Sequence, residues 1–294
     1  MAEKPPVVLT IAGFDPSSGA GVTADIKTIA AHGCYGVACI TALTVQSTSG
    51  VRRVEATDPV LVLETLEELA SDMEVASIHI GMLASAKVAK AVATFLAGRP
   101  ARQTASRPLK PKVPRFANVV LDPVLQSSSG TALLDTSGAK LFSEELIRLV
   151  DVITPNVDEA AALAGMEVRN LDEMRAASSK LHDLGAPAVV ITGGHLEKAI
   201  DLLSYKSKAG LEQEVFKADR QNSNSTHGTG CAFATAIACQ LALGRGIAEA
   251  VLLAKTYVSA AISNAHPLGH GTGPVHHLYR MAQQRRSAST GGEP

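Results

Sequence analysis

The residues best suited to chemistry lie together at 224–231, in the run Asn-Ser-Thr-His-Gly-Thr-Gly-Cys. An apolar segment without proline follows at once, which is the pattern of a loop that opens a helix. The first turn of a helix has backbone N–H groups without internal partners, and the peptide dipoles make that end positive. Gly228, Thr229 and Gly230 are therefore predicted to cradle a phosphate-like anion, with the Cys231 thiol at its edge. An ordinary loop with a buried, inert cysteine explains the local pattern equally well.

Two carboxylates stand where predicted strands end and could hold a metal ion. Asp122 follows a short apolar run at 119–121, and a carboxylate at the tip of a buried strand is costly unless it is paired or near a metal. Glu159 lies three residues after Asn156, and a helix capping box explains this spacing completely. The functional alternative is that Asp122 and Glu159 together hold hydrated Mg²⁺, which prefers oxygen ligands and keeps its waters.

A glycine-rich loop at 13–21 follows the first predicted strand. We expect its backbone to close over a small substrate, with Asp15 or Asp25 accepting a hydrogen bond from that substrate. Each carboxylate also has a plain structural interpretation, Asp15 as a turn residue before Pro16 and Asp25 as a solvated helix residue. Residues 19–24 match the G-x-G-x-x-A dinucleotide fingerprint only weakly, because a Phe-Asp-Pro-Ser-Ser insert separates these glycines from the strand.

Two further polar segments have open interpretations. Residues 191–195, Ile-Thr-Gly-Gly-His, end another predicted strand, which suits contact with a nucleotide and equally suits a plain turn. Residues 266–277 are dense in histidine and glycine. Because this segment contains no carboxylate or thiolate, a phosphate-facing or structural loop is favoured over a metal site.

The elements that would position these residues alternate between strand and helix. Apolar runs predict strands at 7–12, 36–43, 77–80, 119–121, 152–154 and 188–192, and a hairpin over 200–216. Helical patterns occupy 19–31, 58–71, 85–97, 136–150, 157–164, 171–184, 232–243 and 247–264. Repeated β-α units predict an α/β fold with a central mostly parallel sheet and helices on both faces. Ligands then bind beyond the carboxyl ends of the strands, where the polar segments lie.

A single domain is predicted over residues 1–285. Residues 99–115 hold six Lys or Arg, four Pro and no acid, which is typical of a solvated surface insertion. This basic run has no aromatic residue for stacking, so nucleic-acid binding is not favoured. Residues 286–294 are predicted to form a disordered tail.

The composition of the 294 residues allows an enzyme with a large aliphatic core. Hydrophobic residues make up 46% and aromatic residues 3%, and the net charge of -1 suggests neither nucleic acid nor an anionic membrane as the main partner. The four cysteines include no C-x-x-C pair, so neither a zinc site nor a disulfide framework is indicated. No apolar run is long enough to span a bilayer, and the first residues lack the apolar core of a signal peptide, which predicts a cytoplasmic protein.

Carboxylates and glycine loops at successive strand ends, beside an anion cradle, together predict phosphoryl transfer from Mg·ATP. The whole chain also resembles the ribokinase-like superfamily, and within it the bacterial hydroxymethylpyrimidine/phosphomethylpyrimidine kinases of thiamine biosynthesis. The resemblance covers nearly everything between Val7 and Tyr279 and implies a three-layer sandwich. The matching segments are 10–25, 40–46, 80–83, 121–124, 154–159, 193–195, 226–231 and 269–277.

The resemblance also implies roles for the nucleotide end of the site. Residues 228–230 would form the anion hole for the transferring phosphoryl group, and Cys231 would take the place of the aspartate base of most of the superfamily. Since a helix N-terminus lowers a cysteine pKa, we expect some thiolate near neutrality. Asp122 and Glu159 are similar to residues that place Mg²⁺ through water. The residues implied to bind ATP are Thr192, Gly194, Asn156, Thr226 and His227.

Gln46 is interpreted as the residue that recognises the substrate base. An aminopyrimidine edge offers one donor beside one acceptor, and a carboxamide presents the complement, as Asn or Gln does to adenine. By resemblance, the same pocket is lined by Gly13, Ala20, Asp25, Met82 and Val124. The implied reaction is ATP-dependent phosphorylation of 4-amino-5-hydroxymethyl-2-methylpyrimidine and then of its monophosphate, and likeness to such kinases also suggests a homodimer.

The nearest alternative is a pyridoxine/pyridoxal kinase of the same superfamily, because both substrates are small aromatic alcohols. A dinucleotide-binding oxidoreductase and a non-catalytic pyrimidine sensor are remote alternatives. Three features depart from the family pattern. Thr192 stands where Lys is frequent, Ser18 replaces a common glycine, and the 99–115 insertion has no clear counterpart in shorter members.

Overall fold

The computed structural model of the chain describes residues 4–98, 118–126, 141–194, 199–218, 221 and 223–281. Most of the predicted helix at 136–150 falls in this part, but residues 136–140 do not. The predicted insertion at 99–115 and the predicted tail at 286–294 lie outside the described residues.

The strands of the described chain form one sheet. They are β1 Val7–Phe14, β2 Tyr35–Ser47, β3 Gly50–Ala56, β4 Val75–Ile80, β5 Val119–Leu121, β6 Val152–Ile153, β7 Ala188–Gly193, β8 Ala199–Ser207 and β9 Gly210–Ala218. Their order across the sheet is β3-β2-β1-β4-β5-β6-β7-β8-β9. The pairs from β2 to β7 are parallel, whereas β3, β8 and β9 pair antiparallel with their neighbours. The mostly parallel sheet and the hairpin of β8 and β9 are therefore confirmed.

The β2–β3 hairpin differs from the sequence-based prediction. The predicted strand at 36–43 extends to Ser47, and Gly50 pairs opposite Ser47 across a two-residue turn. β3 was missed because its residues, Gly-Val-Arg-Arg-Val-Glu-Ala, lack the apolar run of a buried strand and are mostly exposed. As an edge strand, β3 carries charged side chains that discourage pairing with another sheet.

The helices lie close to their predicted positions and begin at recognisable caps. They are α1 Gly21–Ala31, α2 Pro59–Asp72, α3 Ala86–Leu96, α4 Val157–Ala164, α5 Leu171–Asp183, α6 Thr229–Ala242 and α7 Ile247–Ser263, with a 3-10 helix at Leu146–Leu149. The Asp58 carboxylate accepts hydrogen bonds from the first-turn N–H groups of α2, and Asn156 and Glu159 complete a capping box on α4. α6 differs, since its N-cap is Gly228, which has no side chain to occupy the free N–H groups.

Two hydrophobic clusters cover opposite faces of the sheet. Successive residues of β1 point to different clusters: Leu9 and Ile11 pack with α2 to α5, and Val8 packs with α1, α6 and α7. α6 is buried over nine successive residues, 232–240, as expected for a helix that is apolar all round. The structure is therefore a three-layer sandwich, and the predicted placement of helices on both faces is confirmed.

The carboxyl ends of the central strands meet along one edge. The Gly81 N–H donates to the Ile11 carbonyl at 3.0 Å, and the Asp122 N–H donates to the Ile80 carbonyl at 2.8 Å. Each strand end is thus held level with the next. The chain order reverses between β1 and β4, which is where a doubly wound sheet opens a crevice for ligands.

Candidate active site

The glycine-rich loop before α1 is folded around the Asp15 carboxylate. Asp15 is buried, and its oxygens accept hydrogen bonds from the Ser17 hydroxyl at 2.7 Å and from the N–H groups of Ser17, Gly19 and Ala20 at 2.8–3.2 Å. Burial alone would raise the pKa of Asp15, but the hydrogen bonds from His227, Ser17 and Ala20 outweigh it and lower the pKa. Asp15 is therefore an ionised anchor of its own turn, as the structural interpretation of this residue predicts.

The loop before α6 packs directly on that first glycine loop. A methyl group added at Gly228 would lie 1.8 Å from the Gly19 carbonyl oxygen, and the φ angle of Gly228 is 80°. A methyl group added at Gly19 would lie 2.2 Å from the His227 ring. Gly228, which was expected to make room for an anion, is therefore required for the packing of the two loops, as is Gly19.

Gly230, unlike Gly228 and Gly19, is not packed against the other loop. A methyl group there would meet only the Asp122 carboxylate, at 3.6 Å, among the described residues. The N-terminus of α6 therefore faces Asp122 across a small open space. Thr229 does not contribute a free hydroxyl to that space, because its Oγ1 donates to the Thr226 carbonyl at 2.7 Å.

The expectation of a lowered Cys231 pKa is wrong. Burial raises the pKa of the Cys231 thiol well above its usual range, and the carboxylates of Asp122 and Asp25 raise it further. A hydrogen bond from the Gly21 backbone opposes this rise without cancelling it. The helix N-terminus loses here because burial and nearby negative charge both disfavour a thiolate, so the thiol is neutral at pH 7.

Asp122 and Glu159 form the acidic side of the site. Burial raises the pKa of Asp122 well above its usual range, with Glu159 and then Asp25 adding to the rise. Burial also raises the pKa of Glu159 to about 7, although its oxygens accept hydrogen bonds from the N–H groups of Asn156 at 3.0 Å and Leu125 at 3.4 Å. The capping box and the carboxylate cluster are both present, so the two interpretations of Glu159 do not exclude each other.

These carboxylates are suited to a hydrated cation rather than a fully protein-bound one. No group of three or more His, Cys, Asp or Glu side chains that could hold a metal ion occurs among the described residues. Glu159 nevertheless raises the pKa of the buried Asp122, so like charge destabilises the ionised pair, and a cation beside the two carboxylates would relieve that cost. The donor set therefore fits Mg²⁺ that keeps several of its waters.

Asp25 belongs to a buried polar network beneath the site. Its carboxylate accepts hydrogen bonds from the Thr10 hydroxyl at 2.6 Å and the Thr235 hydroxyl at 2.9 Å, and His79 Nδ1 lies 3.3 Å away. Asp25 is 0% exposed, so the interpretation as a solvated helix carboxylate is wrong. Thr10, His79 and Thr235 were not predicted as members of this network, although a histidine inside the apolar strand β4 was a signal of a buried polar cluster.

Gln46 and His227 come together just before the start of α6. The amide Nε2 of Gln46 lies 3.3 Å from His227 Nε2, and the same ring nitrogen lies 2.8 Å from Asp15 Oδ2. Thr44 Oγ1 lies 3.2 Å from Gln46 Oε1. His227 was predicted to bind the nucleotide, whereas the structure places it against the residue predicted to read the substrate base.

Further residues of the predicted substrate pocket lie at or just beyond the ends of β1 and β5 and in the first loop. A methyl group added at Gly13 would lie 2.4 Å from Met82 Cε, so these two residues are in contact. Ala20 lies beside Gly228, with its Cα 3.4 Å from where a Gly228 methyl would be. Val124 is half-buried and follows Asp122 by two residues. The first loop, β2, β4 and α6 thus meet around one crevice.

The residues predicted to bind ATP lie mostly at the ends of β6 and β7. Asn156 and Thr192 form a parallel bridge, and the Thr192 N–H donates to the Pro155 carbonyl at 2.9 Å. Gly194 is exposed, and a methyl group there would meet no described atom within 4 Å. Thr226 is also exposed, but it lies in the loop before α6 and not at the ends of β6 and β7. Thr192, Asn156 and Gly194 are therefore brought together, and His227 is not among them.

The turn after β7 is fixed by a buried ion pair. Asp201 Oδ1 accepts a hydrogen bond from the Gly193 N–H at 3.1 Å, and Asp201 Oδ2 pairs with Lys255 Nζ from α7. Both side chains are largely buried. This pair holds the Gly-Gly turn in place and was not anticipated from the sequence.

The histidine-rich segment at 266–277 holds the loop before α6 in place through backbone hydrogen bonds. The His227 N–H donates to the Gly273 carbonyl at 3.0 Å, and the Gly273 N–H donates to the Asn224 carbonyl at 3.0 Å. Burial lowers the pKa of His277 to about 4, and its Nδ1 lies 3.2 Å from the Thr28 hydroxyl. The structural interpretation of this loop is thus supported, since it fixes the backbone next to Gly228.

The fold and the site define a class of protein. A ribokinase-like sandwich brings an uncapped helix N-terminus, a buried carboxylate pair and a carboxamide to one crevice, which is the equipment of a small-molecule kinase. Within the described residues, no helix is long and apolar enough to cross a lipid bilayer.

A sequence model of the phosphomethylpyrimidine kinase family matches residues 15–276. The chain belongs to this family. A hydroxymethylpyrimidine/phosphomethylpyrimidine kinase of Aquifex aeolicus is 39% identical over 267 residues, which cover 90% of this chain and 97% of that protein. A bifunctional thiamine biosynthesis protein of Geobacter sulfurreducens is 39% identical over 273 residues, and the chain spans about half of its length, 52%.

Solved structures confirm the ribokinase-like fold. An ADP complex of Bacillus subtilis pyridoxal kinase has a TM-score of 0.81 at 32% identity, covering 95% of this chain and 100% of that one. The phosphomethylpyrimidine kinase of Clostridium difficile 630 has a TM-score of 0.74 at 34% identity, covering 87% of this chain and 99% of that one.

Proposed function

We propose that the protein transfers the γ-phosphoryl group of ATP to the hydroxymethyl group of 4-amino-5-hydroxymethyl-2-methylpyrimidine and then to the resulting monophosphate, in thiamine biosynthesis. Membership of the phosphomethylpyrimidine kinase family supports the reaction type and the substrate class. ADP bound to the similar pyridoxal kinase supports the use of ATP. Each reaction consumes ATP and releases ADP.

One observation carries the proposal. Two kinds of functional group lie near the uncapped N-terminus of α6: the Asp122 carboxylate faces Gly230, and His227, which precedes the N-cap Gly228, lies 3.3 Å from the Gln46 amide. A phosphoryl group at this N-terminus would have metal-binding carboxylates on its nucleotide side and a base-reading amide on its acceptor side. That arrangement matches transfer between a nucleotide and a heterocyclic alcohol.

The chain's own residues chiefly bind and orient the reactants. The N–H groups of Gly228 and Gly230 would hold the transferring phosphoryl oxygens, since α6 has no side-chain cap, whereas the Thr229 N–H donates to the Thr226 carbonyl at 3.3 Å. The neutral Cys231 thiol would position the acceptor hydroxyl, and the hydroxyl proton would leave late to an oxygen of the transferred phosphoryl group, because a loose transition state needs little help from a base. Closely packed loops on both sides would keep water away from the acceptor.

Asp122 and Glu159 would hold Mg²⁺ through its waters. When bound, this ion supplies neutralisation of charge on the ATP phosphates. Asp122 and Glu159 would present two buried carboxylates to the waters of the ion, and the hydrogen bond from the Asn156 N–H fixes the Glu159 side chain in position.

Gln46 would read the amino group and the adjacent ring nitrogen of the pyrimidine, as its carboxamide offers one acceptor and one donor. Met82 and Gly13 contact each other at the mouth of the crevice and would pack against the flat ring. Asp25 would support the site through its hydrogen bonds from Thr10 and Thr235 and would not contact the substrate as an exposed ligand.

A pyridoxal kinase activity is the second candidate, because the Bacillus subtilis pyridoxal kinase has the higher TM-score of the two solved relatives. The pyridoxal ring has no amino group beside its ring nitrogen. It therefore offers Gln46 one partner instead of two, which favours the aminopyrimidine.

The test is an ADP-release assay of the purified protein on hydroxymethylpyrimidine, its monophosphate, pyridoxal and pyridoxine, with and without Mg²⁺. The proposal requires Mg²⁺-dependent turnover of the first two and a lower kcat/KM for the pyridoxal compounds. Preference for pyridoxal would select the second candidate. Nicotinamide binding without ADP release would support the oxidoreductase, and binding of pyrimidine without turnover would support a sensor.

A homodimer is part of the proposal as well. β2 exposes Leu43 and Val45, with 55% and 52% of their surfaces accessible, on the sheet edge beside β3. Apolar side chains exposed along one strand are a common feature of subunit interfaces. Sedimentation of the purified chain as a monomer at micromolar concentration would contradict it.

A further inference from the structure

The hydrogen-bond partners of Gln46 restrict how its amide can face a substrate. Asp15 is an ionised carboxylate and can only accept, so the proton on His227 Nε2 points at Asp15 Oδ2, 2.8 Å away. The terminal amide of Gln46 lies 3.3 Å from the same His227 nitrogen. If the amide NH₂ faced this nitrogen, two N–H donors would oppose each other.

Turning the amide about its axis removes the conflict, because its oxygen and nitrogen have the same shape. The oxygen then shares the His227 N–H with Asp15 Oδ2 in a three-centre hydrogen bond, and the NH₂ group donates to Thr44 Oγ1. The Thr44 hydroxyl is in turn free to donate to the Phe14 carbonyl, 3.0 Å away. No two donors and no two acceptors then face each other between Asp15 and Phe14.

We infer that His227, held by Asp15, is a positioning residue that fixes the Gln46 amide with its oxygen on the α6 side and its NH₂ group on the Thr44 side. This inference rests on the proposed aminopyrimidine substrate. One lone pair of the oxygen and one proton of the NH₂ group remain available to that substrate.

The amide orientation decides which way the substrate ring lies. The amino group at ring position 4 must face the amide oxygen, and the ring nitrogen must face the NH₂ group. The hydroxymethyl group is on position 5, next to the amino group, so it lies on the His227 side. Because Gly228 follows His227 in the chain, that side leads to the N-terminus of α6. The opposite amide orientation would turn the hydroxymethyl group away from the phosphoryl cradle.

The surroundings of His227 are rigid enough for this task. The Asp15 carboxylate is fixed by its own loop, Gly19 packs on the His227 ring, and the His227 backbone is bridged to Pro274. A positioning residue of this kind must be held on all sides, since a loosely held ring could not select one of two amide orientations.

Two substitutions separate positioning from packing. His227→Phe keeps the flat ring against Gly19 but removes the donor, whereas His227→Gln keeps a donor but loses the ring. The inference predicts that His227→Phe lowers kcat/KM for hydroxymethylpyrimidine by about tenfold to a hundredfold, the discrimination expected of a bidentate base contact, with the KM for ATP unchanged. His227→Gln should retain more of this activity than His227→Phe.

The control is a double-mutant cycle with Gln46→Leu, with the melting temperature measured for every variant. If His227 acts through Gln46, adding His227→Phe to Gln46→Leu produces no further loss. Additive losses, or better activity in His227→Phe than in His227→Gln, would overturn the inference and assign His227 a packing role. Wild-type enzyme that fails to phosphorylate hydroxymethylpyrimidine would instead refute the proposed function itself.

Discussion

Two glycines of the phosphoryl cradle should respond in opposite ways to the same added methyl group. Gly228→Ala places a methyl group 1.8 Å from the Gly19 carbonyl oxygen, and ordinary contact begins at 3.4 Å, so the two loops must part by about 1.6 Å. The φ of 80° at Gly228 adds strain of about 1–2 kcal/mol for a residue with a side chain. At about 2–4 °C per kcal/mol, strain alone lowers the melting temperature by several degrees.

The shift of the loops also predicts a loss of activity. A misplacement of about 1 Å can cost roughly a hundredfold in rate when positioning is the main source of catalysis. Gly228→Ala should therefore lower both the melting temperature and kcat/KM, the latter by about a hundredfold.

Gly230→Ala should spare the fold and still impair catalysis. Its methyl group would lie 3.6 Å from the Asp122 carboxylate with no described atom closer, so the helix is not strained. Alanine is favoured over glycine in a helix by up to about 1 kcal/mol, so the melting temperature should stay or rise slightly. The methyl group nevertheless fills the space between α6 and Asp122, and kcat/KM should fall at least about tenfold.

The assay is thermal unfolding beside ADP release for both variants. Gly246→Ala is the matched control, because Gly246 precedes α7, has a φ of -67° and has no described atom within 4 Å of an added methyl group. It should leave activity unchanged. Full activity in Gly230→Ala, or a wild-type melting temperature in Gly228→Ala, would refute the reasoning about this cradle.

Three further predictions concern the charged and polar groups. Burial raises the pKa of Glu159 in the folded protein to about 7, above its usual 4.5. The folded protein therefore holds this proton more tightly than the unfolded chain does, and the free energy of unfolding should fall by up to about 3 kcal/mol as the pH rises from about 4.5 to 7. Glu159→Gln keeps a capping side chain, so unfolding at pH 5 and 8 should show a smaller fall than in the wild type, and an equal fall would contradict the assignment. Cys231→Ala should lower kcat far more than it changes the KM for ATP, and Cys231→Ser should retain more activity than Cys231→Ala; equal kcat in wild type and Cys231→Ala would remove the thiol from the mechanism. Gln46→Leu should raise the KM for hydroxymethylpyrimidine about tenfold or more and raise the KM for pyridoxal less, because pyridoxal loses one partner instead of two; equal changes for both substrates would argue against base reading.

The neutral Cys231 thiol follows from the same cluster of charge. Asp122, Glu159 and Asp25 all act on the thiol, and burial strengthens their effect. Reaction of the ligand-free protein with a thiol-alkylating reagent at pH 7 should therefore be slow at Cys231. Rapid alkylation there would show that the helix N-terminus outweighs burial after all.

Much of the architecture is already determined by local sequence. Apolar runs of strand length, such as 7–12 and 188–192, have few alternatives to burial in a parallel sheet, and Asp58 and Asn156 mark helix starts through bonds to nearby N–H groups. The glycine and carboxylate motifs lie at the ends of those strands, so their convergence follows from the parallel order. β3 was not predictable in this way, because its pairing depends on β2 and not on its own residues.

The chemistry of individual site residues was decided by tertiary structure. The sequence places His227 beside Gly228, but only the packing of the two loops brings its ring to Asp15 and Gln46, 212 and 181 residues away in the chain. The Cys231 pKa depends on Asp122 and Asp25, which reach the thiol from other elements of the fold. Sequence thus determined which groups are available and in what local geometry, whereas protonation and partner choice were set by distance and burial, which are properties of the folded chain alone.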